Sequence, residues 1–366
     1  MPSEKAFWYG WAQILGMGAI LQKRLALHFD TLAAAWEASP EALQQVEGIG
    51  PKLAWAIAEQ RPRLQPETAL PGEAPFITPA DTAYPELLYE IPDPPPVLYY
   101  QGDLALLSAC QRKPAVGIVG TRNPSEYGKR WTRRLTKALC GNDFPIISGL
   151  AAGIDREAHQ TCLDANGDTI AVLGTGVDVV YPHRNRELHH AIAQSGLLLS
   201  EHPPGTPPDR SHFPRRNRII AGLSRAVLVT EAPSKSGALI TANLANDYGR
   251  DVFVVPGSLD NSRCHGCLKL VDQGAHLVLG ENTLLTALGS IPPTVSPDEP
   301  KPAPLPKLEP HLLQVFQVVL GEAQSLDNIV QQASMPTGDV LSALVQLELM
   351  GLVAHLPGMQ YQRCPA

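Results

Sequence analysis

The chain reads as an α/β protein built on a doubly wound parallel sheet, and three observations predict this. Seven short, nearly continuous apolar runs alternate with helical patterns between residues 111 and 289, as strands buried on both faces of a parallel sheet do. Two connectors bracket that region, with ten prolines between Pro62 and Pro96 and seven between Pro292 and Pro306. The segments outside the connectors carry helical spacing and few strand runs. With 366 residues, the chain is long enough for two or three domains. The predicted architecture is an extended Rossmann-like sheet with a small helical domain before it and a winged helix after it.

Residues 1–65 are expected to form helices. Within them "VEGIGPKLAWAI" (46–57) has the form of a helix-hairpin-helix or SAM-like turn. Gly48 and Gly50 there are expected to take a left-handed backbone, and Pro51 to open the next helix. Such a turn either meets a phosphate through its amides or simply joins two core helices. Six acidic and six basic residues in the segment favour the second role, or a protein partner. Residues 66–110 read as a proline-rich connector leading into the sheet.

The strands of the domain at 111–289 are expected in "AVGIVG" (115–120), "PIIS" (145–148), "TIAVLG" (169–174), "LLLSE" (197–201), "AVLVTE" (226–231), "VFVVPG" (252–257) and "HLVLG" (276–280). In such folds ligands gather beyond the carboxyl ends of the strands. A stiff, extended linker is expected at 290–308. Residues 309–366 fit three helices and a hairpin turning at Pro357-Gly358, the outline of a winged helix. Five acids against one Arg in that segment point to a protein contact rather than duplex DNA.

The chain carries a net charge of -7, but the charge is unevenly placed. Residues 111–137 sum to +7 and residues 207–225 to +4, each flanked by acidic stretches. Such islands can hold a nucleic acid on one surface while the rest of the molecule repels it. No stretch reaches the ~18 apolar residues of a membrane span, and the first twenty residues have no basic start followed by an apolar run. A cytoplasmic protein is expected. Six cysteines are too dilute for a disulfide framework, and the Cys264/Cys267 pair lacks the second ligand pair of a structural zinc site. They are expected to be free thiols, with no metal and no cofactor.

The loops after the strands carry the chemistry. "VGTRNPSEYG" (119–128) contains no G-x-G-x-x-G fingerprint, and Walker A, G-x-S-x-G and H-E-x-x-H motifs are also missing from the chain, which leaves hydride transfer, NTP hydrolysis and the common hydrolase chemistries without support. Thr121, Arg122 and Ser125 suit phosphate oxygens. The next helix spaces Arg130, Arg133, Arg134 and Lys137 over one face, either a phosphate track or a solvated surface. "SGLAAGIDREAH" (148–159) resembles an anion-binding nest. Its Asp155 and His159 form either an acid/base pair or, as the sounder reading, a helix cap and a packed ring. "DRSHFPRRNRIIAGLSRA" (209–226) sets Phe213 among Arg210, Arg215, Arg216 and Arg218, the mixture of ring and guanidinium that sequence-tolerant single-strand binding uses. One of those arginines is expected to be consumed in a salt bridge. Lys235 lies on a further strand-to-helix loop.

Seven segments, "VGTRNPSEYG", "SGLAAGIDREAH", "TIAVLGTGVDVVYPHRN", "SEHPPG", "FPRRNRIIAGLS", "EAPSKSGALITA" and "VPG", stand in the order and spacing of the DNA-processing protein A family (DprA, also called Smf). The chain resembles that family over nearly the whole α/β domain, and its flanking domains are similar to those of the three-domain members. The resemblance implies a protein that binds incoming single-stranded DNA in natural transformation, protects it and helps to load the RecA recombinase. It also implies a homodimer formed through the α/β domain and no enzymatic activity. Carried over by motif, the DNA pocket falls on Arg122, Ser125, Ser148, Gly149, Phe213, Arg216, Arg218 and Lys235. The residue pattern adds Arg215 to that set. One departure is Leu268, which stands in "GCLKLV" where the family usually has Asn. Two other readings compete. One is a nucleotide-processing enzyme of the phosphoribohydrolase type, with Asp155, His159 and Glu231 as its acid/base candidates. The other is an adaptor working through the acidic winged helix alone.

Overall fold

The computed structural model describes residues 3–66, 74–289, 308–320, 323–356 and 358–363. Met1–Pro292 form one unit and Pro293–Ala366 a second.

In the first unit the amino-terminal helices, Glu4–Ala12, Ala19–Phe29, Leu32–Glu37, Pro40–Leu43 and Pro51–Gln60, enclose a core of Trp11, Leu25, Leu32, Leu43 and Ile57, all fully buried. Ser3, Thr31 and Ser39 cap three of them by accepting the amide three residues on, each cap contributing about 1 kcal/mol. In the hairpin turn only Gly48 takes a left-handed conformation, at φ +93°. Gly50 is extended and serves as the residue before the Pro51 helix, so one of the two expected left-handed glycines is corrected. Arg24 closes the turn on Glu47, donating to its carbonyl and pairing with its carboxylate. The helices are tied to the sheet by Lys5, which donates to the Phe76 carbonyl at 2.8 Å and to Asp81, and to the segment between residues 77 and 98 by Lys23, which donates to the Tyr89 and Ile91 carbonyls.

The sheet has nine strands: β1 Phe76–Ile77, β2 Leu98–Gly102, β3 Val116–Val119, β4 Ile146–Ser148, β5 Thr169–Val172, β6 Leu197–Ser200, β7 Ala226–Val229, β8 Asp251–Val254 and β9 His276–Leu277. All seven apolar runs are strands. Their order is β1-β2-β6-β5-β4-β3-β7-β8-β9, parallel from β6 through β9 and antiparallel where β2 meets β6 and β1 meets β2. The proline-rich lead-in therefore supplies two strands that its composition conceals. Apolar side chains fill both faces: Val116, Ile118, Leu135 and Leu139 on one, Val119, Ile147, Ile219 and Val227 on the other. At β3 the chain turns back, so its neighbours are β4 on one side and β7 on the other. At such a switch point, strand-to-helix loops diverge and leave a crevice.

In the second unit, helices Pro310–Val318, Leu326–Ala333 and Thr337–Leu349 pack Leu312, Val315, Ile329, Val340, Leu344 and Leu347 into one core. They are joined by a small sheet ordered β10-β12-β11, from β10 Gln324–Ser325, β11 Val353–Leu356 and β12 Gln360–Arg363. The strand β10 is additional to the predicted hairpin, whose Pro357 lies outside the described residues. The Arg363 side chain donates to the Phe316 carbonyl and lies 4.3 Å from the centre of that residue's ring.

Candidate nucleic-acid interface

The loop after β3 passes close to its neighbours. A side chain at Gly120 would come within 2.5 Å of Ile154 and 2.8 Å of the Glu231 carbonyl, so only glycine fits. Thr121 donates its amide to the Glu231 carbonyl, and its own carbonyl accepts from the Ile154 amide. The loop is thereby bonded to both adjoining segments and presents the exposed Arg122 at its apex.

The loop after β4 wraps two buried charged side chains, Asp155 and Arg216. The Asp155 carboxylate accepts the amides of Gly149 and Ala151, so the expected anion nest is filled by the chain's own carboxylate. Arg216, 4% exposed, donates to the carbonyls of Gly149 and Val172. Burial lowers the pKa of this guanidinium to about 10, with Asp155 opposing the shift, so the group remains a cation at neutral pH. Burial raises the Asp155 carboxyl, against the pull of Arg216. A Cβ at Gly149 would lie 2.3 Å from the Arg216 guanidinium, which explains the glycine there.

The helix His212–Leu223 begins beside this loop. Its half-buried Phe213 pairs with the Tyr181 ring at 5.3 Å between centres and 31° between planes. The Arg122 guanidinium lies 5.7 Å from the centre of the Phe213 ring. Gly174 at the end of β5 makes room for it, since a Cβ there would come within 2.9 Å of Phe213. Together Arg122, Gly149, Tyr181, Arg184, Phe213 and Arg216 line a cleft of 200 Å³. The cleft continues into a groove of 640 Å³ edged by Thr121, Arg210, Asn217, Ser236 and Gly237. Paired rings ringed by cations at the carboxyl ends of four strands can stack bases and neutralise phosphates in one place.

Of the expected contact residues, the structure brings Arg122, Gly149, Phe213 and Arg216 into this cleft. Lys235 is exposed on the loop whose Pro233, Ser236 and Gly237 line the groove. The structure places the other four outside the cleft lining. The Ser148 hydroxyl is fully buried and donates to the Ile118 carbonyl at 2.6 Å, so it holds two strands together. Ser125 caps the helix Glu126–Cys140, and its hydroxyl and amide both donate to the buried Glu231 carboxylate at 2.7 Å. Arg218 is the arginine consumed in an ion pair: it meets Asp93 at 2.9 Å and Glu201 at 2.8 Å, with both Arg218 and Glu201 buried. Arg215 also turns toward Glu201, at 3.3 Å, and lines a different pocket between the sheet and the first helices. A helix turns 100° per residue, so consecutive arginines face apart, and only Arg216 shares the Phe213 side.

The basic helix is a surface in which Arg133 pairs with Glu157 and Arg134 with Glu281. The acid/base candidates are likewise engaged elsewhere. His159 is fully buried against the Thr169 hydroxyl at 2.7 Å, and burial, followed by Arg216, lowers its pKa to about 3. Asp155 holds the loop and Glu231 holds Ser125. Leu268 is half-buried on the helix His265–Asp272. Among the described residues no cluster of three metal-ligating side chains is present, and no helix is long and apolar enough to cross a membrane.

Sequence reasoning placed Arg210 in the cluster around Phe213 but missed Tyr181 and Arg184. A signal for these two existed: Tyr181-Pro182-His183-Arg184 repeats the aromatic-Pro-x-Arg pattern of Phe213-Pro214-Arg215-Arg216, and both copies reach the same cleft.

Residues 75–289 match the family model described as DNA recombination-mediator protein A, and residues 299–359 match the DprA winged helix domain. The chain belongs to the DprA/Smf family. Protein Smf of Synechocystis sp. is 49% identical, with 99% of each chain covered. Protein Smf of Escherichia coli is 38% identical over 77% of this chain and 76% of its own. Among solved structures, DprA of Streptococcus pneumoniae superposes with a TM-score of 0.67 at 34% identity, covering 78% of this chain and 98% of that one. The Helicobacter pylori DprA structure, described by its single-stranded DNA binding mode, gives a TM-score of 0.53 at 33% identity, covering 59% of this chain and 96% of that one. The DprA match begins at residue 75, immediately before β1, so the two concealed strands belong to the family domain.

Proposed function

We propose that this chain binds single-stranded DNA without sequence preference in the cleft around Phe213, and that it acts as a recombination mediator which protects incoming DNA and loads RecA onto it. The observation that carries the reading is the convergence of Arg122, Arg216, Tyr181 and Phe213 in one cleft beyond the carboxyl ends of β3, β4, β5 and β6. Rings there accept any base, since every base has a π-face, and the cations follow the backbone. Membership of a family described as recombination mediators supports the RecA step. A homodimer through the α/β domain, a cytoplasmic location and the lack of an enzymatic reaction belong to the same proposal. Titration of fluorescent oligo-dT tests it. Each stacked base contributes ~1–3 kcal/mol, so Phe213→Ala is expected to weaken binding about 5- to 150-fold. Wild-type affinity in both Phe213→Ala and Arg122→Ala would remove the cleft from the reading.

A further inference from the structure

We propose that Cys140 and Cys162 form a reversible thiol–disulfide pair, a site of oxidation by hydroperoxides that joins two helices beneath the sheet. Cys140 is the last residue of the helix Glu126–Cys140, and Cys162 lies near the end of the helix Ile154–Asp164. Their sulfurs are 3.4 Å apart. Gly167 makes this approach possible, because a Cβ there would lie 2.6 Å from the Cys140 sulfur and 3.0 Å from that of Cys162. Cys140 is half-buried and Cys162 buried, so the outer thiol meets the oxidant and the inner one waits behind it.

Among the described cysteines, Cys140 also differs chemically from the rest. The hydrogen bond with Cys162 lowers the Cys140 pKa, and the same contact raises that of Cys162. Burial pushes Cys110 and Cys267 up to about 12. The thiolate is the reactive form of cysteine, which singles out Cys140. Its thiolate attacks one oxygen of hydrogen peroxide, breaking the O–O bond to give a sulfenic acid and hydroxide. The sulfur of Cys162, losing its proton to that hydroxide, then attacks the Cys140 sulfur and displaces its hydroxyl. Two thiols and one peroxide thus yield one disulfide and two waters. The cysteines precede β4 and β5 and sit at the amino edge of the sheet, opposite the cleft. Oxidation therefore leaves DNA affinity unchanged while raising resistance to unfolding, because the bond closes a loop spanning 22 positions in the unfolded chain.

The test exposes the full chain to hydrogen peroxide, unfolds it in an alkylating reagent and maps the peptides. The expected result is a linked Cys140–Cys162 peptide lighter by two hydrogens, lost on treatment with dithiothreitol and missing from Cys140→Ser. Oxidised wild type is expected to melt at a higher temperature than reduced, and oxidised Cys140→Ser is not. Finding both cysteines still alkylated, or Cys140 carrying added oxygen beside an alkylated Cys162, overturns the proposal. The wild-type map alone decides the matter if the variant folds poorly.

Discussion

The Arg218 ion pair separates a structural role from the DNA-contact role that its motif implies. Arg218 is 5% exposed at its side chain and bridges Asp93 and Glu201, of which Glu201 is 6% exposed. Replacing the arginine with Ala leaves the Glu201 carboxylate buried without its closest partner. Breaking a buried pair from one side typically costs about 3–5 kcal/mol. Here Arg215 remains 3.3 Å from Glu201 and Asp93 is a third exposed, so the lower end, about 3 kcal/mol, is expected. Arg218→Met keeps the aliphatic volume and is expected to lose less than Arg218→Ala. Urea unfolding followed by circular dichroism measures the loss, and oligo-dT titration of the folded variant measures binding. The expected outcome is reduced stability with wild-type DNA affinity. An Arg218→Met protein of full stability that binds DNA weakly would refute the assignment and return Arg218 to the interface.

Three further outcomes follow from the same geometry. Arg122→Ala is expected to lower the dependence of log K on log salt by about one unit, as loss of one phosphate-neutralising cation does; binding measured across a salt series checks it. Gly149→Ala forces a methyl to within 2.3 Å of a guanidinium that the same residue's carbonyl anchors, so a loss of about 3 kcal/mol in urea unfolding is expected, together with weaker DNA binding. His159 is uncharged in the fold because its pKa is lowered to about 3 from an ordinary 6.5. Its contribution to stability is therefore complete above pH 6.5 and is lost as the pH falls toward 3, by about 1.4 kcal/mol per pH unit. Between pH 7.5 and pH 5, wild type is expected to lose about 2 kcal/mol more than His159→Gln, read from paired urea titrations.

Much of this protein was legible from residue order. All seven apolar runs became strands because a parallel sheet buried on both faces leaves no polar alternation to confuse the pattern. Phe213 and Arg122, which line one cleft, were singled out because a ring and a guanidinium beyond a strand end have few purely structural uses. The strands β1 and β2 were hidden because their pairing is tertiary: Leu98–Gly102 becomes a strand by lying antiparallel to β6, a partner about a hundred residues away, while the surrounding prolines suggest a linker. The partners of Ser125 and Ser148 were hidden for a related reason. A hydroxyl at a strand end looks free for a ligand until the neighbouring Glu231 and Ile118 atoms are placed.

By itself the sequence determined the order of helices and strands, the glycines that let loops pass close together, and the clustering of rings and arginines in two short segments. Those are local properties, set by periodicity, backbone sterics and composition. Only the tertiary structure decided which cation serves which purpose. The helical turn sends Arg215, Arg216 and Arg218 to different neighbours, and the acids awaiting two of them, Glu201 and Asp93, come from distant stretches of chain. A charge takes its role from its nearest opposite charge, and that distance is fixed by packing.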